Sequence, residues 1–525
     1  MEKAKYSIIP KPQSYKTAEG EFRITGKTAV LCVPEFKKAG MYLSSFLKTE
    51  KNAGEGAVKF NKDSSIPPEG YRLQIGNDGV VVTASDEKGA FWGAVTLKII
   101  VLQGKSANGV AVLSGADIFD YPKYSYRGGM LDESRHFFGK ESVMRLIDNM
   151  AMLKLNTLHW HLSDDQGYRI ESEVFPDLNE KASKRPYEFL AGADHLKFMK
   201  AGGGEYFRYY KKSEIREIVK YAEDRCIEII PEIDMPGHTV ALISAYPQLS
   251  CRGENSEVFC ENGITEDILC ASKESTYEFA KALLGEVCEL FPSKYFHIGG
   301  DEASKGHNIY EKECPDCKKL MEEKGYKNGS QLQVYFTNEI ADFLSHKGKT
   351  CIQWNDGMGD ETDGRIICQF WTKYARTNLN EEAKKRRLIL SPDPYMYFDM
   401  SYAHNPLKKT YGFDPARVGL TKGTDSVMGL EFETWTEWII DEKALEFAIY
   451  PRIFALAENA WTRDELKNYK DFYKRLDFFK GYLKAKGVNY SRLEKKKFKV
   501  KNRSIYHLGT FGEEYKYNEI LKSEE

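Results

Sequence analysis

The chain has 525 residues, 42% of them hydrophobic and 29% charged, which suits a large folded core and, at ~100–200 residues per domain, more than one domain. Its 76 Lys and Arg against 78 Asp and Glu leave a formal charge of -2, a balance that argues against nucleic acid or a membrane surface as partner. No run approaches the ~18 apolar residues of a membrane span, and ten cysteines are too few for a disulfide framework.

The start, MEKAKYSIIPKPQSY, lacks an apolar signal core. It predicts a cytoplasmic protein if the chain is complete, and a periplasmic or secreted one if a leader has been trimmed. Strand-like runs follow at Thr28–Val33, Tyr71–Ile75 and Gly79–Thr83, then a helix over Ala90–Leu102 and a turn-rich linker at Asp117–Pro122. These define a small α+β domain over residues 1–120.

From Tyr126 the pattern alternates short apolar strands with helices. Strands are expected ending at Met130–Leu131 and over Leu155–Leu162, Ile227–Ile233, Tyr295–Ile298, Thr350–Trp354, Arg365–Phe370, Leu388–Ser391 and Ser426–Phe432. Helices are expected at Lys140–Leu153, Ser213–Asp224, Thr276–Leu290, Leu332–Ser345 and Ala444–Trp461. Eight strands with interleaved helices predict an α/β fold, a (β/α)8 TIM-type barrel over residues 121–490. A C-terminal tail, 491–525, opens on the basic run KKKFKVKNR, read as a solvated face.

Barrel active sites form where strands end, and here every strand end is polar or aromatic: DESRH, HWHLSDD, PEIDMPGH and HIGGDE, then Trp354, Trp371, Tyr397 with Asp399, and Trp435 with Glu437. The sharpest is HIGGDE. Its glycines allow a tight turn, and its adjacent carboxylates, Asp301 and Glu302, can hold one proton between an acid and a base. Arg135 can clamp hydroxyls or neutralise Asp132 or Glu133; Asp164 and Asp165 can accept from a ligand or cap a turn. Of His159, His161, His238 and His297, at least two are expected only to orient carboxylates. The tryptophans offer flat faces for a sugar ring. A second reading is a metal-dependent barrel hydrolase built on the His159–His161 pair with further His and Asp. Strands five to eight offer no histidine, so no metal and no cofactor are expected at the site. Cys314 and Cys317 form a single CxxC, short of the four ligands of a zinc site. Cys251 and Cys270 bracket a loop and would close as a disulfide in an oxidising compartment.

RGGMLDESRHFF, LNTLHWHLSDDQGYRIE, EIIPEIDMPGHT, FHIGGDE and FETWTE, in that order, resemble glycoside hydrolase family 20, the β-N-acetylhexosaminidases. The opening IIPKPQ and AFWGAVTLKIIVLQ resemble that family's small N-terminal domain. The resemblance implies β-linked N-acetylhexosamine glycans as substrates, with lacto-N-biosidase or sulfo-GlcNAc hydrolase specialists as variants. It implies Glu302 as acid and base, and Asp301 as the group orienting the substrate's 2-acetamido group. Arg135 would bind the 3- and 4-hydroxyls, and Glu437 the 4- and 6-hydroxyls with Asp399 nearby. Trp354, Trp371 and Trp435 would wall the acetamido pocket, Tyr397 would donate to the acetamido oxygen, and Asp164 and His238 would support the acid pair. Some secreted relatives carry a disulfide in the Cys251/Cys270 loop. A long segment, Glu180–Arg208, departs from the pattern and enlarges the loop after the second strand, where it would form a further sugar subsite or cover the pocket.

Overall fold

The computed structural model describes residues 5–50, 54, 56–104, 109–191, 198–201, 204–260, 263–375 and 378–493. The basic run and nearly all of the expected tail lie outside the described residues, as do 192–197 and 202–203 of the long loop.

Near the N-terminus, six strands form one sheet in the spatial order Ser14–Ile24, Ala111–Asp120, Tyr71–Gly76, Gly79–Ala84, Ala57–Lys62 and Ala29–Cys32. The helix Glu87–Gly104 is apolar on nearly every side and buried along most of its length, as befits an element covered on more than one face. The expected Asp117–Pro122 linker is largely strand: Asp117 to Phe119 pair with both flanking strands, and Asp120 with Tyr71 alone. Its turn-forming residues were the misleading signal; two paired neighbours outweigh local propensity.

Asp120 joins this sheet to the rest. Its carboxylate, fully buried, accepts from Tyr71 Oη at 2.7 Å, Lys154 Nζ at 2.7 Å and Trp461 Nε1 at 2.8 Å. A second joint sets Arg127 against Glu69 at 2.6 Å, with its guanidinium over the rings of Trp92 and Trp461.

Eight parallel strands close into the expected barrel: β1 Tyr126–Asp132, β2 Thr157–His161, β3 Glu228–Glu232, β4 Tyr295–His297, β5 Thr350–Trp354, β6 Ile367–Phe370, β7 Leu388–Leu390 and β8 Val427–Phe432. Side chains alternate between the helical layer and the interior. In β2, Leu158 and Trp160 join the outer core, so His159 and His161 share the inner face. An aliphatic and aromatic plug of Tyr126, Ile230, Tyr295, Ile352, Ile367, Ile389 and Met428 fills the N-terminal end. The expected single helix Ala444–Trp461 is two, Glu442–Ile449 and Arg452–Trp461. Pro451 between them has no N–H to donate and its ring disfavours helix in the residue before it.

Candidate active site

Above the plug the barrel interior turns polar. Glu232, at the end of β3, pairs in register with His161 on one side and His297 on the other. It lies 3.0 Å from His159 and 2.9 Å from His297, and it accepts from His161 and from Trp354 Nε1 at 2.9 Å. Glu431 in turn takes His159 Nδ1 at 2.9 Å. Despite burial, the three imidazoles hold Glu232 well below the usual carboxylate range. Burial pulls His161 down, but Glu232 and Asp164 outweigh it and raise the ring to about 10. Both ring nitrogens of each histidine face a carboxylate, Glu431 and Glu232 for His159 and Glu232 and Asp164 for His161, so the pair holds these acids in place.

At the strand ends, Arg135 reaches Asp132 at 3.1 Å, Asp164 at 2.8 Å and Glu437 at 3.8 Å, donates to Gln166 at 2.8 Å, and lies over the Trp435 ring. Of the two partners considered for it, Asp132 pairs with it. Glu133 instead accepts from Tyr210 Oη at 2.9 Å and the Phe138 amide, and burial raises it to about 8. Asp164 also takes Nδ1 of His238 at 3.1 Å. Although buried, it is held low by Arg135 and His238. Nε2 of His238 points to the acid pair, 3.7 Å from Asp301 and 3.6 Å from Glu302.

The HIGGDE turn places those acids. Gly299 and Gly300 have φ of 63° and 86°; a Cβ on Gly299 would sit 2.0 Å from Asp234 Oδ1, and one on Gly300 2.3 Å from Gln353 Nε2. Glu302 itself is left-handed at φ 50°, a strain of about 1–3 kcal/mol of the kind that persists where surroundings over-determine it. Its side chain is 32% exposed, against 12% for Asp301. Burial, then the nearby charges of Asp356 and Glu302, raise Asp301 to about 7 against the pull of His238.

The aromatic residues form a continuous wall. Trp354 and Trp435 ring centroids are 6.0 Å apart, Trp435 and Tyr397 6.5 Å, and Tyr397 and Trp371 6.1 Å in a stacked pair. Asp399 is driven up by burial and by Glu437. The eleven residues to which the resemblance gives a catalytic or sugar-binding role thus lie at the C-terminal mouth of the barrel.

Two further acids belong to it. Asp356 accepts from Trp371 Nε1 at 2.8 Å and from the Glu302 amide at 2.8 Å. Asp234 accepts from the Gly300 amide at 2.9 Å, and burial and Asp301 raise it. In sequence, Asp356 sits in WNDG, where a turn explains it, while Asp234 was within reach in PEIDMPGH. The long loop folds as small hairpins, pairing Lys184–Arg185 with Tyr206–Phe207 and Glu188–Ala191 with Phe198–Ala201. Its base is fastened to the site, since Arg185 donates to the Arg135 carbonyl at 2.9 Å.

The two loop cysteines are not disulfide-bonded. Cys251 and Cys270 are free, and each lies 3.7 Å from Cys317.

A parallel barrel whose mouth joins paired acids, a forked arginine and an aromatic wall has the groups that bind and cleave a sugar. Residues 124–464 match the catalytic domain of glycosyl hydrolase family 20 and residues 5–121 match its domain 2. The chain belongs to that family. A beta-hexosaminidase of Porphyromonas gingivalis is 32% identical over 92% of this chain; the match spans 64% of that longer protein. The Vibrio harveyi GH20 exo β-N-acetylglucosaminidase, solved with N-acetylglucosamine, superposes with a TM-score of 0.81 at 27% identity, covering 93% of this chain and 78% of that one. The N-acetyl-β-hexosaminidase of Streptomyces plicatus gives 0.78 at 31% identity, covering 93% and 96%.

Proposed function

We propose that the protein is a retaining exo-β-N-acetylhexosaminidase that releases terminal β-linked GlcNAc or GalNAc with the help of the substrate's own acetamido group. The observation that carries this reading is the unequal depth of two sequence neighbours at the barrel mouth: the Glu302 side chain reaches solvent while that of Asp301 is sunk beside it. Glu302 protonates the glycosidic oxygen as the bond from C1 breaks, and the acetamido carbonyl oxygen forms a new bond to C1. The resulting oxazolinium is cationic. Asp301, as carboxylate, accepts the acetamido N–H and balances that charge. Glu302 then deprotonates the water that opens the ring, and two inversions at C1 give net retention. Arg135, Glu437 and Asp399 supply the donors and acceptors that hold the sugar hydroxyls, while Asp164 holds His238 beside the acid pair.

The test is a panel of aryl β-GlcNAc, β-GalNAc, β-lacto-N-bioside and N-deacetylated β-glucosamine glycosides. The N-acetyl monosaccharides should turn over and the free amine should not. Comparable rates on the deacetylated analogue would refute substrate assistance, and activity confined to the disaccharide would replace exo-release of one sugar by disaccharide release.

A further inference from the structure

Four of the ten cysteines, none of them among the sugar-binding residues, gather at one point. Cys251, Cys270, Cys314 and Cys317 come from two separate loops, yet their Sγ atoms all lie within 4.8 Å of one another. Cys317 is 3.7 Å from both Cys251 and Cys270. A disulfide requires about 2.05 Å and joins sulfurs in pairs; one thiol equidistant from two others at van der Waals contact fits no such pairing. A tetrahedral zinc with bonds of about 2.3 Å holds its sulfurs about 3.8 Å apart.

The surroundings agree. Cys314 is the N-cap of the helix Pro315–Lys324 and Cys317 lies in its first turn, where the helix dipole favours thiolate charge. Cys270, Cys314 and Cys317 are buried. The Ser272 hydroxyl sits 3.2 Å from Cys270 Sγ and 3.4 Å from Cys317 Sγ, within reach to donate to a thiolate and hold its orientation. Cys314 and Cys317 alone supply only two of the four ligands a zinc ion needs. The missing ligands are not a second CxxC; folding brings Cys251 and Cys270 alongside, at a spacing no linear pattern reveals.

We propose that these four cysteines bind a structural zinc ion. Binding forms four Zn–S bonds and releases the four S–H protons to solvent, leaving a closed site with no position for substrate. The ion would staple two segments that flank the active site. One carries Thr265, whose hydroxyl meets Asp165 at 3.3 Å, and Leu269, whose carbonyl accepts from Tyr310 Oη at 2.6 Å. The other runs from Glu302 through Tyr310 to Cys314.

The full-length protein, purified without added metal and dialysed against EDTA, should retain about one zinc per chain by elemental analysis. A thiol-directed mercurial should release it to a chromogenic chelator, and cobalt substitution should give a near-ultraviolet thiolate-to-cobalt band. Cys317→Ser should lose most of the zinc, whereas Cys32→Ser, at an exposed thiol, should keep it. If Cys317→Ser fails to fold, mercurial release and the cobalt spectrum of the wild-type chain decide. A zinc-free chain, an intact mass lacking two hydrogens with a Cys251–Cys270 bridge, or a coloured iron-bound form would each overturn the proposal. None of these readouts depends on glycosidase activity.

Discussion

Asp356 and Trp371 are joined by a 2.8 Å hydrogen bond from the indole Nε1 to the carboxylate, whose other oxygen receives the backbone N–H of Glu302. One acid therefore ties the aromatic wall to the residue proposed as proton donor. Its partners hold Asp356 low, yet burial and the charge of Glu302 raise it overall, so it sits in a site where ionisation is costly.

Asp356→Ala removes both bonds. A hydrogen bond to a charged group is worth ~1.5–3 kcal/mol, so kcat/KM should fall about 10- to 100-fold. Trp371→Phe, which keeps the ring but loses one bond, should cost less. Steady-state kinetics on an aryl β-GlcNAc substrate measure both. An unchanged kcat/KM in Asp356→Ala would show that the Glu302 backbone holds its strained φ without this anchor.

Glu302→Gln keeps the size of the side chain and removes the proton. Hydrolysis of an oligosaccharide, whose leaving oxygen needs protonation, should drop by ~10²–10⁴. An aryl glycoside with a good leaving group should lose much less in its first step. Parallel losses on the two substrates would count against Glu302 as the acid.

Asp301 titrates near 7 in the folded chain and at ~3.9 when unfolded. Between those values the folded state holds a proton that the unfolded state has lost, so this residue's contribution to stability declines as pH rises from about 4 to 7 and is flat above. Asn at this position cannot titrate. The melting temperature of Asp301→Asn should therefore gain on the wild type across that interval, read by calorimetry in matched ionic strength; melting curves that keep a constant separation would contradict the raised value.

The barrel was legible because its physics is periodic. Strands such as Thr157–His161 carry apolar residues outward and polar ones inward, and the polar clusters fell where strands end. The acid pair announced itself through two glycines and two carboxylates in six residues. What the sequence concealed was assembled from distant parts. Asp356 carries only a turn signal, and its role exists because the Glu302 amide folds back onto it from 54 positions away. The cysteine cluster needs two loops that only the fold brings together. Asp117 to Asp120 read as a linker because turn residues dominate locally, while the pairing that makes them a strand is long-range. Pro451 is the opposite case: a helix boundary printed in the sequence and outvoted by the apolar run around it.

The Asp120 joint has a practical consequence for anyone wishing to shorten this protein. Cutting at the boundary between the sheet and the barrel would remove Asp120 and Glu69, the counter-ions of Lys154 and Arg127, together with Tyr71 and Trp92, which cover them. The cations would then meet water, and the Trp461 ring that packs against Trp92 would be bared beside them at the cost of its buried apolar surface. The sheet is thus a counter-ion for the barrel, and a truncation that keeps every sugar-binding residue would still discard what lets them stand.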